Sequence, residues 1–168
     1  CTFCATGHEG LTRNLSSAEM ICQIVAVQND FGCRVTNLVS MGQGEPFQNY
    51  QATLEALRFA NAKDGLEIGA RHITVSTCGI IQGIERLANE PEQFTLAVSL
   101  HSALQDVRNE IMPRCNSIPL PHLKKALRSY IEKTGRRVSF EYLLIKGVTD
   151  TEENLAALID FCDGLLCH

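Results

Sequence analysis

Apolar positions fall along the chain in alternating long and short clusters. Met20, Ile24 and Val27 recur at spacings of four and three, with Ile21 and Val25 widening the stripe, which predicts an amphipathic helix. Ser16 and Glu19 just ahead of it have the S-x-x-E form of a capping box, in which the serine hydroxyl accepts from a free helix N–H and the glutamate reaches back to the cap. Asn29, Asp30 and Gly32 end the stripe. Val35 to Met41 then reads as a short buried strand, broken by Gly42 and Gly44. The pattern repeats: a helix from about Tyr50 to Ala62, a strand from Ile73 to Ser76, a helix from Ile80 to Ala88, and a strand from Phe94 to Leu100. Leu120 to Lys133 predicts another helix, Val138 to Ile145 a fourth strand, and Leu155, Leu158, Ile159 and Cys162 line a last helix, with a further strand starting near Leu165.

Strict alternation of strand and helix forces a parallel sheet with right-handed crossovers. The strands read as short apolar runs, which predicts a sheet covered on both faces. The expected fold class is therefore α/β, either an open doubly wound sheet or part of a barrel. A chain of 168 residues is short for a complete eight-stranded barrel, which takes roughly 250.

Composition narrows the class without deciding it. An apolar fraction of 45% and a charged fraction of 20% are those of a globular domain and exclude intrinsic disorder. No apolar run approaches the roughly 18 residues of a membrane span, and no signal peptide is evident, so the expectation is a soluble, cytoplasmic chain with no membrane partner. A net charge of −4 provides no global basic field for nucleic acid; any RNA contact must be local or lie outside the chain. The chain begins on Cys1 and stops at Cys167-His168, and both ends read as cut. Eight cysteines in 168 residues, about 5%, fall below the roughly 8–10% of a secreted disulfide scaffold and fit a reduced compartment. Six are scattered singly and read as small buried hydrophobes or idle thiols.

The unusual polar residues all fall just past a strand. Met41-Gly-Gln-Gly-Glu-Pro46 follows the first, Ser76-Thr-Cys-Gly79 ends the second, and Ser99-Leu-His101 ends the third. Parallel α/β folds bring such strand ends to one rim, where they place their chemistry. Gly-Glu, Ser and Ser-x-His delivered to one rim suit a ligand with ammonium, carboxylate and hydroxyl groups. Cys1-Thr-Phe-Cys4 adds two soft ligands, half of the four that zinc or an iron–sulfur centre takes. No second CxxC follows at zinc-ribbon spacing, and the residues after Cys4 read as loop, unlike a thioredoxin-type helix start.

These motifs, in this order, resemble the RlmN/Cfr family of radical S-adenosylmethionine RNA methyltransferases. The resemblance rests on Cys1-Thr-Phe-Cys4-Ala-Thr-Gly7, Gly10, Arg13-Asn-Leu15, Glu19, Met41-Gly-x-Gly-Glu-Pro46, Ser76-Thr-x-Gly79, Ser99-Leu-His101 and Phe140-Glu-Tyr142. It implies an incomplete (β/α)6 radical SAM barrel occupying residues 1–168, with the first strand, an N-terminal RNA-binding domain and a C-terminal segment outside it. Cys1 and Cys4 match the last two cysteines of the family's CxxxCxxC motif, whose first would lie four positions before Cys1. The resemblance further implies a 4Fe-4S cluster with one iron open to S-adenosylmethionine, which on reduction yields a 5′-deoxyadenosyl radical. Gly44 and Glu45 would hold the methionine ammonium, and Ser76, Ser99, Leu100 and His101 the carboxylate or ribose. The Gly-Glu-Pro form leans toward the RlmN branch, which methylates C2 of adenine in 23S rRNA and in tRNA, over the Cfr branch, which methylates C8. Such an enzyme draws electrons from an external donor such as flavodoxin.

The methyl-carrying and resolving cysteines of that mechanism align with none here, so Cys162 and Cys167 receive neither role and the isolated chain is expected to be inactive. A radical SAM enzyme with another substrate is the nearest alternative, and a non-catalytic zinc-binding α/β module is an alternative of a different class. Arg13 is a candidate for an RNA phosphate contact. The cluster of Lys124, Lys125, Arg128, Lys133, Arg136 and Arg137 reads as a solvated surface on the opposite face. His8, His72 and His122 have no ligand spacing, and Glu141 is either a barrel-lumen acid or a structural one.

Overall fold

The computed structural model describes residues 1–168. The elements in chain order are α1 (Ser17–Phe31), β1 (Leu38–Ser40), α2 (Tyr50–Asn61), β2 (Ile73–Thr77), α3 (Ile81–Leu87), β3 (Thr95–Ser99), α4 (Gln105–Ile111), α5 (Leu120–Thr134), β4 (Val138–Glu141) and α6 (Glu152–Cys162). The capping box at α1 forms as expected, with Ser16 Oγ accepting from the Glu19 N–H and the Glu19 carboxylate accepting from the Ser16 N–H.

The four strands are all parallel and stand side by side in chain order, β1-β2-β3-β4. That order decides between the two architectures. A doubly wound sheet reverses its strand order part-way, whereas right-handed crossovers between successive neighbours return every helix to the same side, as in a barrel. The structure is therefore a partial barrel. A fifth strand begins where expected, with Cys167 bridging in parallel to Val138.

Registers assign the faces. Thr74, Ser76 and Thr77 lie beside Thr95, Ala97 and Val98, and Ala97 and Ser99 beside Ser139 and Glu141. Ile73, Val75, Thr77, Leu96, Val98 and Val138 thus share one face and are all buried, 0–2% exposed. The other face carries Val39, Thr74, Ser76, Thr95, Ala97, Ser99, Ser139 and Glu141, which are small or polar except at the sheet edge. The strands alternate after all, against the expectation of a sheet covered alike on both faces: helices cover one side, and the other lines an open concave surface. Glu141 lies on that concave side and is exposed.

The helix-covered side is the core. Leu123, Leu127 and Tyr130 of α5 pack with Ile84 and Leu87 of α3 over β2 and β3, each at most 1% exposed. Each such leucine contributes about 1.5–3 kcal/mol of burial. In α1 the cover is thinner: Ile24 is buried, but Val27 is 49% exposed.

Two expected elements change and one unexpected helix appears. β4 stops at Glu141 instead of Ile145, because Thr149 Oγ1 donates to Leu143 O (2.6 Å) and accepts from the Ile145 N–H (2.7 Å), drawing residues 142–149 into a closed loop. β1 shrinks to three residues at the sheet edge. Helix α4, absent from the hydrophobic pattern, occupies the connection after β3.

Candidate functional site at the strand ends

The C-terminal ends of β1, β2 and β3 meet at one rim, and Glu45 joins the first two. Gly44 before it has φ +83, a conformation that admits glycine readily. One carboxylate oxygen of Glu45 accepts from the Phe47 N–H (3.1 Å), capping the short 3-10 helix Pro46–Asn49; the other accepts from the Cys78 N–H (2.8 Å). The carboxylate is thereby fixed between two loops before any ligand arrives. Phe47 is itself wedged against Gly83 of α3, where a Cβ would come within 2.2 Å of its ring.

Ser76 and Ser99 lie on the concave face of adjacent strands, Ser76 beside Ala97 and Ser99 two residues further along β3. Ser76 is 8% exposed. Leu100 turns away and is fully buried.

His101 follows at φ +58, held there by three bonds to the neighbouring strand end. The Leu100 and His101 N–H groups both donate to Glu141 O (3.1 Å each), and the Leu143 N–H donates to His101 Nδ1 (3.1 Å). Nδ1 is therefore an acceptor and the ring proton sits on Nε2. Burial, and secondarily the Arg108 charge, push the imidazole pKa down to about 4, so His101 is a neutral side chain that joins two strand ends.

The Cys1–Cys4 turn is seated above this rim. Thr2 donates from its N–H (2.9 Å) and its Oγ1 (3.3 Å) to Ile111 O at the end of α4, and Phe3 packs edge-on against His101. Cys4 Sγ and Thr6 Oγ1 lie 3.2 Å apart. That hydroxyl, and then the Gly7 N–H, lower the Cys4 pKa and favour the thiolate a metal requires.

Sequence reading does not find Arg108, the structural centre of the site. It is 1% exposed. Its Nη2 donates to Cys78 O (2.6 Å) and Ser99 O (3.4 Å), and its Nε to Leu100 O (3.2 Å). One signal was available: Arg108 stands four residues after Leu104 and three before Ile111, on the apolar side of a helical pattern. Beside it the Cys78 and Cys115 thiols interact: Cys78, with help from Arg108, draws the Cys115 pKa down, while Cys115 and burial push that of Cys78 up.

Arg13, by contrast, is engaged: its guanidinium binds both carboxylate oxygens of Glu19 (2.6 and 2.9 Å) at the α1 cap. Cys22 and Cys33 are exposed single thiols.

Residues 1–159 match the model of the radical SAM superfamily. The chain belongs to the radical SAM superfamily. A crystal structure of a radical SAM methyltransferase from Sphaerobacter thermophilus superposes with a TM-score of 0.95 at 49% identity, covering all of this chain and 50% of that one. The protein named probable dual-specificity RNA methyltransferase RlmN in Caldanaerobacter subterraneus is 46% identical over 168 residues, and that of Geobacillus kaustophilus 49% over 171. The chain spans about half the length of these curated relatives.

The superfamily implies an iron–sulfur cluster and S-adenosylmethionine, and the residues present fit them. Cys1 and Cys4 are soft donors in one tight turn, one of them favoured as thiolate, and Gly7 closes the turn where a Cβ would lie 3.5 Å from Cys4 Sγ. No group of three or more His, Cys, Asp or Glu side chains in this chain could hold a metal ion. No helix is long and apolar enough to cross a membrane.

Proposed function

We infer that residues 1–168 are the radical SAM core of a longer RNA methyltransferase of the RlmN branch, which methylates C2 of adenine in 23S rRNA and tRNA with electrons from a flavodoxin-like donor. The observation that carries this reading is the Glu45 carboxylate, immobilised by the Phe47 and Cys78 N–H groups at a rim it shares with Ser76 and Ser99. Relatives that cover the whole chain and bear the RlmN name support the branch.

Cys1 and Cys4, with a third cysteine four positions ahead in the family motif, hold the 4Fe-4S cluster. Bound together, cluster and S-adenosylmethionine supply one-electron radical chemistry; the protein supplies binding and orientation. Glu45 offers its remaining lone pairs to the methionine ammonium, a charge-assisted bond whose direction is preset because both oxygens are already anchored. Ser76 and Ser99 present hydroxyls to the carboxylate or ribose from the concave face. Leu100 underlies that face, and His101, uncharged, adds no repulsion to the sulfonium and keeps the end of β3 against β4. The methyl-carrying and resolving cysteines belong to the longer protein, and the isolated chain does not turn over.

Glu45→Gln in the longer protein tests the site: S-adenosylmethionine affinity falls at least tenfold, and unchanged affinity refutes the ammonium assignment. Nucleoside analysis of methylated RNA separates 2-methyl- from 8-methyladenosine, the latter assigning the protein to the Cfr branch. Absence of broad iron–sulfur absorption in the anaerobically purified protein favours zinc at Cys1 and Cys4.

A further inference from the structure

Beyond the paired part of the ladder, β2 and β3 separate: the last register pair is Thr77 with Val98, and the carbonyls of Cys78, Ser99 and Leu100 lie past it. Buried carbonyls without partners are costly; Leu100 O takes the Ser102 N–H (2.7 Å) from its own segment, but that bond stays on the β3 side and does not join it to the end of β2. Arg108 joins the two. One planar guanidinium donates to all three carbonyls, at 2.6, 3.4 and 3.2 Å, from a side chain 1% exposed. Its Nη1 is buried with no partner. A buried cation with an unspent donor is an expensive way to satisfy three carbonyls if stability alone were at stake; apolar packing in its place would often serve as well or better. What the guanidinium adds is a fixed distance, because its fork is rigid where a lysine stem is flexible.

The two strand ends it spans are those that carry the candidate pocket. On one side Cys78 offers its carbonyl to Arg108 and its N–H to Glu45. On the other, Ser99 and Leu100 offer theirs directly ahead of His101. The same helix, three residues on, accepts the Cys1–Cys4 turn at Ile111 O. We propose that Arg108 is a positioning residue that sets the spacing between the Glu45–Cys78 side and the Ser99–His101 side of the S-adenosylmethionine pocket. This rests on the reading of that rim as the pocket, and it concerns a residue that touches no ligand.

Arg108→Lys keeps the charge but cannot reach three carbonyls; Arg108→Met keeps volume and removes the charge. Leu127→Ala, a core change in α5 away from the rim, serves as a stability control. In the longer protein purified anaerobically with its cluster, both Arg108 variants weaken S-adenosylmethionine binding at least tenfold, whereas Leu127→Ala changes it less than twofold. Hydrogen exchange without ligand gives an independent reading: amides of Cys78, Leu100 and His101 lose protection in the Arg108 variants while α1 and α2 keep theirs. Equal binding losses in the Arg108 and Leu127 variants, scaled to melting temperature, overturn the proposal by making Arg108 merely structural. So does wild-type affinity in Arg108→Lys. If the unsubstituted protein binds no S-adenosylmethionine, the pocket reading itself fails and the proposal with it; normal binding with unaltered exchange at the strand ends defeats the proposal alone.

Discussion

The ring of Phe3 stands edge-on to the imidazole of His101, with centroids 5.0 Å apart and planes at 83°. Phe3 lies between the two cysteines of the candidate metal-binding turn, and His101 follows the third strand, so one aromatic contact ties the candidate cluster loop to the candidate pocket. Phe3→Ala removes it. Aromatic pairs contribute about 0.5–1.5 kcal/mol beyond burial, and Phe3 is 38% exposed, so a loss of about 1 kcal/mol is expected in denaturant unfolding. Cys4 should also react faster with a thiol reagent, and unchanged reactivity would show that the turn is held by Thr2 and Ile111 alone.

His101 makes the fold sensitive to mild acid. Its pKa near 4 lies below the roughly 6.5 of an unfolded histidine, so the unfolded chain binds the extra proton more readily. The stabilisation is complete above about pH 6.5 and is lost as pH falls toward 4. Protonation also removes the acceptor for the Leu143 N–H. His101→Asn, a residue that tolerates positive φ, should flatten the melting temperature across that interval; a profile as steep as wild type would exclude His101 as its origin.

Gly83→Ala should be severe for so small a change. Its Cβ would meet Phe47 Cγ at 2.2 Å and Cβ at 2.5 Å, and the surrounding residues are core. Overpacking of this kind costs about 1–3 kcal/mol. Because the Phe47 N–H anchors Glu45, the variant should also weaken S-adenosylmethionine binding, and Phe47→Leu in the same chain should recover part of both losses.

Ser16→Ala supplies a contrast. It removes the helix cap at α1, for about 1 kcal/mol, at an exposed position away from the strand-end rim. Stability should fall and binding should not. Glu19, held at about 2 first by its Arg13 hydrogen bond and then by the Ser16 N–H, keeps its charge in the fold down to far lower pH than a free carboxylate. Its contribution is present above about pH 4.3 and is lost below it, an interval distinct from that of His101.

The elements legible in the sequence were those whose signals are local. The Ser16–Glu19 box, the 3/4 spacing of Leu123, Leu127, Tyr130 and Ile131, and the glycines closing β1 and β2 act within a turn or two, and each marked its element correctly. Glu45, Ser76 and His101 were legible as candidates because they follow apolar runs. What they do for the fold was not. That Glu45 reaches Cys78, 33 residues away, and that His101 Nδ1 accepts from Leu143, 42 away, are tertiary facts without periodicity. Helix α4 escapes the hydrophobic pattern because Arg108 occupies the inward position between Leu104 and Ile111 where the pattern requires an apolar side chain. The difference between the two faces is hidden in the sequence because threonine, serine and alanine on the concave face read as part of an apolar run.

A sheet wound in chain order can assemble in the order of its synthesis, each strand docking on the one just made. The Cys1–Cys4 turn breaks that sequence. Its backbone anchor is Ile111, 109 residues after Thr2, and its aromatic partner is His101. A turn made well ahead of its anchors is thus among the last segments to find its seat, and its thiols stay accessible until three of the four strands have been made.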